Sequence, residues 1–489
     1  MNIRNLVTLV AVLASAGGCA VEIGDAGDEG DPEESAESSD LDAVIARHAD
    51  HRNRLPNHVP IFDATGVFTT VSARGFIDLD NEFFQDLGTN DRRCVSCHVP
   101  TVGWTITPHE LRTVFNLTDG GKFEDGFGLG AVFRTVDGAN SPNADVSTLA
   151  KRRQAYSLLL NRGLIRIGLP MPANAEFDLV AVDDPYHFAS ARELSLFRRP
   201  LPVANLKFDS TVMWDGREVV AGQTIAFDLA NQANTANLIH AQGKALTQTQ
   251  RESIVNFMVG LASAQIFDRK AKDLHAAGAK GGPDEILKQE FHIGINDNFG
   301  DPVTGAAFTP VVFNLFDKWT NLKGHGVNDA RRSIARGQAL FNTKTIAIKG
   351  VSGINDEAAF GKPAVLLGTC TSCHNTPNGG NHSVVAPLNI GLTDASRRTA
   401  DMPLYTLRNK TTGETVQTTD PGRAMISGKW AHIGRFKGPM LRNLAPRAPY
   451  FHNGFAKDLD AVVDFYNERF KIGLNKQEHA DLVAFLRSI

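Results

Sequence analysis

A mostly α-helical chain, folded as two domains with long irregular loops, is what the sequence predicts, on three observations. Apolar side chains recur at helical spacing in Ala150 to Leu164, in Thr249 to Phe267 (Ile254, Phe257, Met258 and Leu261 on one face) and in Lys476 to Ile489 (Ala480, Leu482, Val483, Phe485 and Leu486). Glycine and proline punctuate Gly278 to Pro283 and Phe299 to Pro310, which read as loops or a linker, and no strand-rich block stands out. After the N-terminal segments about 440 residues remain, too many for one ordinary core and comfortable for two.

Residues 1–19 read as an export signal. Arg4 supplies a short basic region, Leu6 to Ala16 an apolar run with two hydroxyls, and small residues follow. The run is too short to span a bilayer. Two processing sites compete: Ala14-Ser15-Ala16 fits a signal-peptidase cut, whereas Ala16-Gly17-Gly18-Cys19 resembles a bacterial lipobox, imperfect at its first position, in which Cys19 carries lipid. Residues 20–45 form an acidic tether, with ten carboxylates between Glu22 and Asp42 and almost no large apolar side chain. Such a segment buries too little surface to offset the entropy of ordering. A cysteine left over from the motifs below, followed by a polar tether, favours the lipoprotein.

Four of the five cysteines lie in Cys94-Val95-Ser96-Cys97-His98 and Cys370-Thr371-Ser372-Cys373-His374. Cys-x-x-Cys-His reads as a covalent c-type haem site: each thiol bonds one vinyl group, and the next residue offers its imidazole to the iron. His98 and His374 are therefore the expected proximal ligands. A redox dithiol does not need the trailing His, and a zinc ribbon wants its second pair about 15–20 residues on rather than at position 370. No cysteine is left for a structural disulfide. Covalent haem agrees with export to the periplasm or cell envelope. One haem per domain then divides the chain into an N-terminal haem domain (46–270), a linker or insertion (271–330) and a C-terminal haem domain (331–489). Without the tether, the formal net charge of -4 turns mildly basic for the folded body, a weak attraction for an acidic redox partner.

Further motifs resemble the bacterial di-haem cytochrome c peroxidase family, which includes the methylamine dehydrogenase maturation enzyme. They are Ala335-Arg336-Gly337-Gln338-Ala339-Leu340-Phe341, Arg435 to Asn443, Pro449-Tyr450-Phe451-His452-Asn453-Gly454 and the last helix with Asp481 to Leu486. In the N-terminal half they are Arg198 to Asn205 and Trp214-Asp215-Gly216-Arg217. The resemblance is strongest after residue 330 and patchy over residues 100–190 and 270–330.

It implies two cytochrome c-like domains with haems facing an interface. One haem takes electrons from a small periplasmic cytochrome or copper protein, and the other reduces hydrogen peroxide. By this analogy the haem of Cys370 and Cys373 transfers electrons and that of Cys94 and Cys97 is catalytic. For the second iron the resemblance points to Met425, after Gly422-Arg423, with Met440 and His382 as runners-up; for the first it points to His187, or to His109, closer in sequence. Trp214 is the expected bridge between haems, and Arg217 the expected partner of a haem propionate. The family's catalytic loop carries a Gln and a Glu. Gln223 matches the first, but no Glu follows, so that Asp228 or His240 has to move the proton. A calcium ion between the domains is left open.

Three activities fit this pattern: a haem peroxidase, a pure electron carrier with both irons six-coordinate, and an oxidase of a protein or organic substrate. Nucleotide and nucleic-acid roles find no phosphate loop, dinucleotide fingerprint or aromatic-laced basic patch. Membrane contact is expected only through lipid on Cys19. Mass spectrometry of the mature N-terminus is expected to find Cys19 first and lipid-modified; an unmodified chain from Gly17 overturns the anchor.

Overall fold

The computed structural model describes residues 40–123 and 128–489. The export signal and the tether up to residue 39 lie outside them. The last residues of the expected tether are helical instead: Leu41–His48 forms a helix capped by the Asp40 carboxylate, which accepts from the Asp42 amide at 2.9 Å, and it buries Leu41 and Val44.

Ten elements position the rest. In chain order the strands are β1 (Gly66–Ser72), β2 (Phe177–Asp183), β3 (Leu194–Arg198), β4 (Leu261–Asp268) and β5 (Leu404–Asn409); the helices are α1 (Ile225–Ile239), α2 (Gln248–Val259), α3 (Val327–Thr343), α4 (Leu459–Phe470) and α5 (Lys476–Arg487). Of the described residues 33% are helical and 16% in strands, so the expected mostly α class does not hold. The described strands pair antiparallel in five small sheets. Their partners lie far along the chain: Gly66 of β1 faces Asp268 of β4, and Phe177 of β2 faces Asn409 of β5. No local alternation announces such strands.

The stretch Thr249 to Phe267, expected as one helix, is divided. A reciprocal cap between Thr247 and Gln250 starts α2, which ends at Val259, and after Gly260 the small residues Ala262, Ser263 and Ala264 of β4 are buried in the sheet. Ala150 to Leu164 likewise breaks at Tyr156 into Leu149–Ala155 and Ser157–Arg162. The last helix forms as expected, capped by Asn475 and Glu478. Among the described residues no helix is long and apolar enough to cross a membrane.

The three largest of the apolar clusters among the described residues organise the interior. The first gathers Phe83, Trp104, Phe115 and Phe257 behind the first Cys-x-x-Cys-His turn. The second packs Phe341 and Phe485 against Phe313, Phe316 and Trp319, so residues 271–330 supply core as well as connection. The third lies under the sheet that joins β2 to β5 and holds Phe177, Leu194, Tyr405 and Leu407. There the Tyr405 hydroxyl donates to the Ser195 carbonyl and accepts from its amide, both at 2.8 Å.

Helices α3 and α5 cross at Gly337. A Cβ there would stand 1.9 Å from the Asp481 carbonyl oxygen, far inside contact distance. Helix propensity alone would make Gly337→Ala stabilising by about 1 kcal/mol. The crossing reverses the sign, and thermal unfolding is expected to show a loss of about 1–3 kcal/mol, the range for forced overpacking.

Candidate haem centres

Both Cys-x-x-Cys-His segments fold into the same tight turn. Cys94–Ser96 and Cys370–Ser372 are single 3₁₀ turns, and in each the amide of the following His donates to the first cysteine's carbonyl at 3.1 Å. The motif's serine closes the turn: the Ser96 and Ser372 hydroxyls accept from the Arg93 and Thr369 amides at 3.1 and 3.0 Å. All four cysteines are free thiols. Burial pushes Cys97 up to about 11 and Cys94, Cys370 and Cys373 up to about 12.

The imidazoles are oriented alike. His98 donates from Nδ1 to the Trp104 carbonyl at 3.4 Å and His374 from Nδ1 to the Gly380 carbonyl at 2.6 Å, which leaves each Nε2 with its lone pair. Burial holds both well below the usual range, at about 4. Neutral imidazole with a free Nε2 is the form that binds iron.

Each turn borders an apolar cavity. The one beside Cys94, Cys97 and His98 encloses about 1370 Å³ including its mouth, and the one beside Cys370, Cys373 and His374 about 1760 Å³. Arg199, Pro200, Leu201, Pro202 and Trp214 line both, so the cavities share a wall. Within it the Trp214 indole N–H donates to the Arg199 carbonyl at 2.8 Å, and the Trp214 carbonyl accepts from the Lys437 amide at 2.9 Å. Gly216 has φ +67°, where a side chain is disfavoured, and Arg423 donates to the Asp215 and Gly216 carbonyls at 2.9 and 2.7 Å.

Several groups on these walls lack what a porphyrin carries. The guanidiniums of Arg199 and Arg447 are buried and hydrogen-bond to backbone carbonyls, with no carboxylate partner. Burial, with the charge of Arg447 beside it, lowers Arg199 to about 9, and burial lowers Arg447 to about 10. His452 is 1% exposed, neither ring nitrogen has a partner, and burial drives it down to about 3. Its ring stacks on Phe436 at 3.9 Å and meets Trp214 edge-on at 6.0 Å. Buried cations without counter-charge and an orphaned imidazole are costly unless something polar enters. Thioether-forming thiols, an iron-binding imidazole and apolar walls fit haem c at each cavity, and the guanidiniums of Arg199, on both walls, and Arg447, on the second, suit propionates.

The structure gathers only part of the expected site. Trp214 stands in the shared wall, and Arg217 and His240 line the first cavity, Arg217 ion-paired to Asp215 at 3.2 Å. His187, His109 and Gln223 are exposed and do not line it. Asp228 is turned to its own loop, accepting from the Val220 amide at 3.0 Å. Met425 packs with Phe177 and Tyr405 in the third cluster, not against the second haem cavity, because the Gly422-Arg423 pair serves to clamp the Trp214 turn. His382 is buried in a small adjoining pocket with Asp209 and Lys437. Met440 does reach the second cavity's wall, as do His452 and Tyr466, which sequence reasoning did not single out. Asp137 and Arg92, on the first cavity, were also missed. Among the described residues no group of three or more His, Cys, Asp or Glu side chains forms a further metal cage.

No family model matches the chain. It is 35% identical over 132 residues to cytochrome-c peroxidase IdrP2 of Denitromonas iodatirespirans, covering 25% of this chain and 36% of that protein. It is 29% identical over 194 residues to cytochrome-c peroxidase IdrP2 of Pseudomonas sp. (strain SCT), covering 36% of this chain and 52% of that one. The chain thus matches about a third to a half of the length of these relatives. A solved MauG-like protein associated with microbial copper homeostasis aligns with a TM-score of 0.32 at 17% identity, over 61% of this chain and 75% of that one. The sequence matches bear out the resemblance read from the motifs. Over these stretches the chain is similar to bacterial proteins named cytochrome-c peroxidase.

In the haem-loaded protein, Met425→Leu is expected to leave the visible spectrum unchanged. Replacement of Met440, His452 or Tyr466 one at a time is expected to alter the spectrum of the second haem in at least one case.

Proposed function

We propose that this chain is an exported di-haem c-type cytochrome that reduces hydrogen peroxide. The haem of Cys370 and Cys373 receives electrons from a small periplasmic redox protein, and the haem of Cys94 and Cys97 meets the peroxide. The observation that carries this reading is the shared wall, since Trp214 lines both cavities and leaves the two centres on either side of one side chain. The peroxidase names of the relatives support the reaction class, and the N-terminal motif supports export.

Haem, when bound, supplies the redox chemistry. The chain supplies the rest. The thiols tether the porphyrins, and His98 and His374 present Nε2 to the metals. Arg199 and Arg447 are free to neutralise propionates. Peroxide reduction to two waters consumes two electrons and two protons. His240, on the first cavity's wall, takes the part of the missing carboxylate in this reading, accepting a proton from one peroxide oxygen and returning it to the other, which departs as water.

The test uses the full chain from a cytochrome-maturation-competent host. It is expected to retain haem stain after denaturation and to consume peroxide at the expense of a reduced donor. His240→Gln is expected to slow that consumption by about 100-fold, the low end for lost acid–base catalysis. If both irons stay low-spin and peroxide is not consumed, the chain is an electron carrier; if an organic or protein substrate is oxidised instead, it is an oxidase.

A further inference from the structure

We infer that Asp137, held by Arg92, is a positioning residue that fixes the tautomer of His240 so that its Nε2 faces the first cavity as a proton acceptor. The purpose of this arrangement rests on the peroxidase reading; the arrangement itself does not. Arg92 precedes the first haem motif by two residues, Asp137 lies in the loop after the turn Leu129–Val132, and His240 caps α1. All three line the cavity.

The Asp137 side chain is 5% exposed, and its two oxygens are divided: Oδ1 accepts from Arg92 Nη1, and Oδ2 accepts from His240 Nδ1. Arg92 cannot swing away, because Nε and Nη2 donate to the Ala131 and Val132 carbonyls, both at 2.9 Å. The His240 carbonyl is pinned in turn by the Asn90 amide at 2.9 Å. A buried carboxylate is normally pushed up by burial; here the charge of Arg92 and the hydrogen bonds from Arg92 and His240 outweigh that, and Asp137 stays below the usual range, ionised. An ionised carboxylate only accepts, so Nδ1 must carry the ring hydrogen, and the neutral ring keeps its lone pair on Nε2.

The same logic predicts the effect of an amide. In Asp137→Asn the Arg92 guanidinium can only donate, so the amide oxygen turns to it and the amide N–H₂ faces His240. Nδ1 must then accept, the hydrogen moves to Nε2, and the acceptor facing the cavity is lost.

The probe is hydrogen cyanide added to the oxidised, haem-loaded full chain. Its carbon binds the first iron while its proton passes to the acceptor, so the association rate reports that acceptor without turnover. D137N and H240Q are each expected to slow association by about 100-fold, and D137N is expected to cost nothing further in the H240Q background. D137E, which keeps an acceptor-only group, is expected to stay within about threefold of wild type. Should D137N fail to hold haem, the contrast between D137E and H240Q decides. Wild-type association in D137N, an equal D137N cost with and without His240, or D137E as slow as H240Q overturns the inference. Loss of the peroxidase reading shows separately: no peroxide consumption with the cyanide effect intact removes the reaction and leaves the positioning role.

Discussion

One buried guanidinium, Arg198, braces the partition between the two cavities. It donates from Nε and Nη2 to Asp420 at 2.7 and 3.0 Å and from Nη1 to Asp215, and all three residues are at most 3% exposed. Asp420 comes from the C-terminal half, whereas Asp215 belongs to the Trp214 turn. Arg217 adds a second cation beside Asp215, so two positive charges meet two negative ones and the buried set closes to neutrality. Such a network earns little net stability over an apolar core, but removal of one member leaves an uncompensated charge in the interior. Its contribution here is positional. It holds an indole between two cavities to a geometry that packing of loops alone would leave loose.

The two Cys-x-x-Cys-His turns were legible from five residues each, because covalent haem attachment would demand a fixed local spacing that no fold can alter. Trp214 and Arg217 lie in one short motif, and both line the first cavity, Arg217 paired to Asp215. The failures share a cause. β1 and β4, or β2 and β5, are strands only because a distant segment pairs with them, so Thr249 to Phe267 reads as continuous helix until β1 is seen beside its second half. Met425 was expected as a ligand by its distance from Gly422-Arg423, but linear spacing says nothing about which way a four-residue helix turns its side chains. His240 could be named as a candidate from the sequence. Asp137 could not, since the pair is closed across 103 positions and an isolated Asp in a loop carries no signal.

The interior charge balance is uneven in an informative way. Around the partition, cations and carboxylates cancel; along the cavity walls, Arg199 and Arg447 have only carbonyl oxygens for company. One propionate beside each of these two cations would complete the pattern. The protein without its prosthetic groups therefore carries desolvated positive charge that the complete protein does not, and binding energy is spent in folding as well as in holding the group.

The pairing of β2 with β5 has a consequence for biogenesis. A ribosome delivers this polypeptide from its amino end, so the first Cys-x-x-Cys-His turn emerges long before the strand that completes its half of the molecule. Until Tyr405 arrives to grip Ser195, that half lacks its closing sheet and remains accessible. The earlier pair of thiols thus stands in an open precursor, and the order in which the segments are synthesised gives the two Cys-x-x-Cys-His turns different windows of exposure.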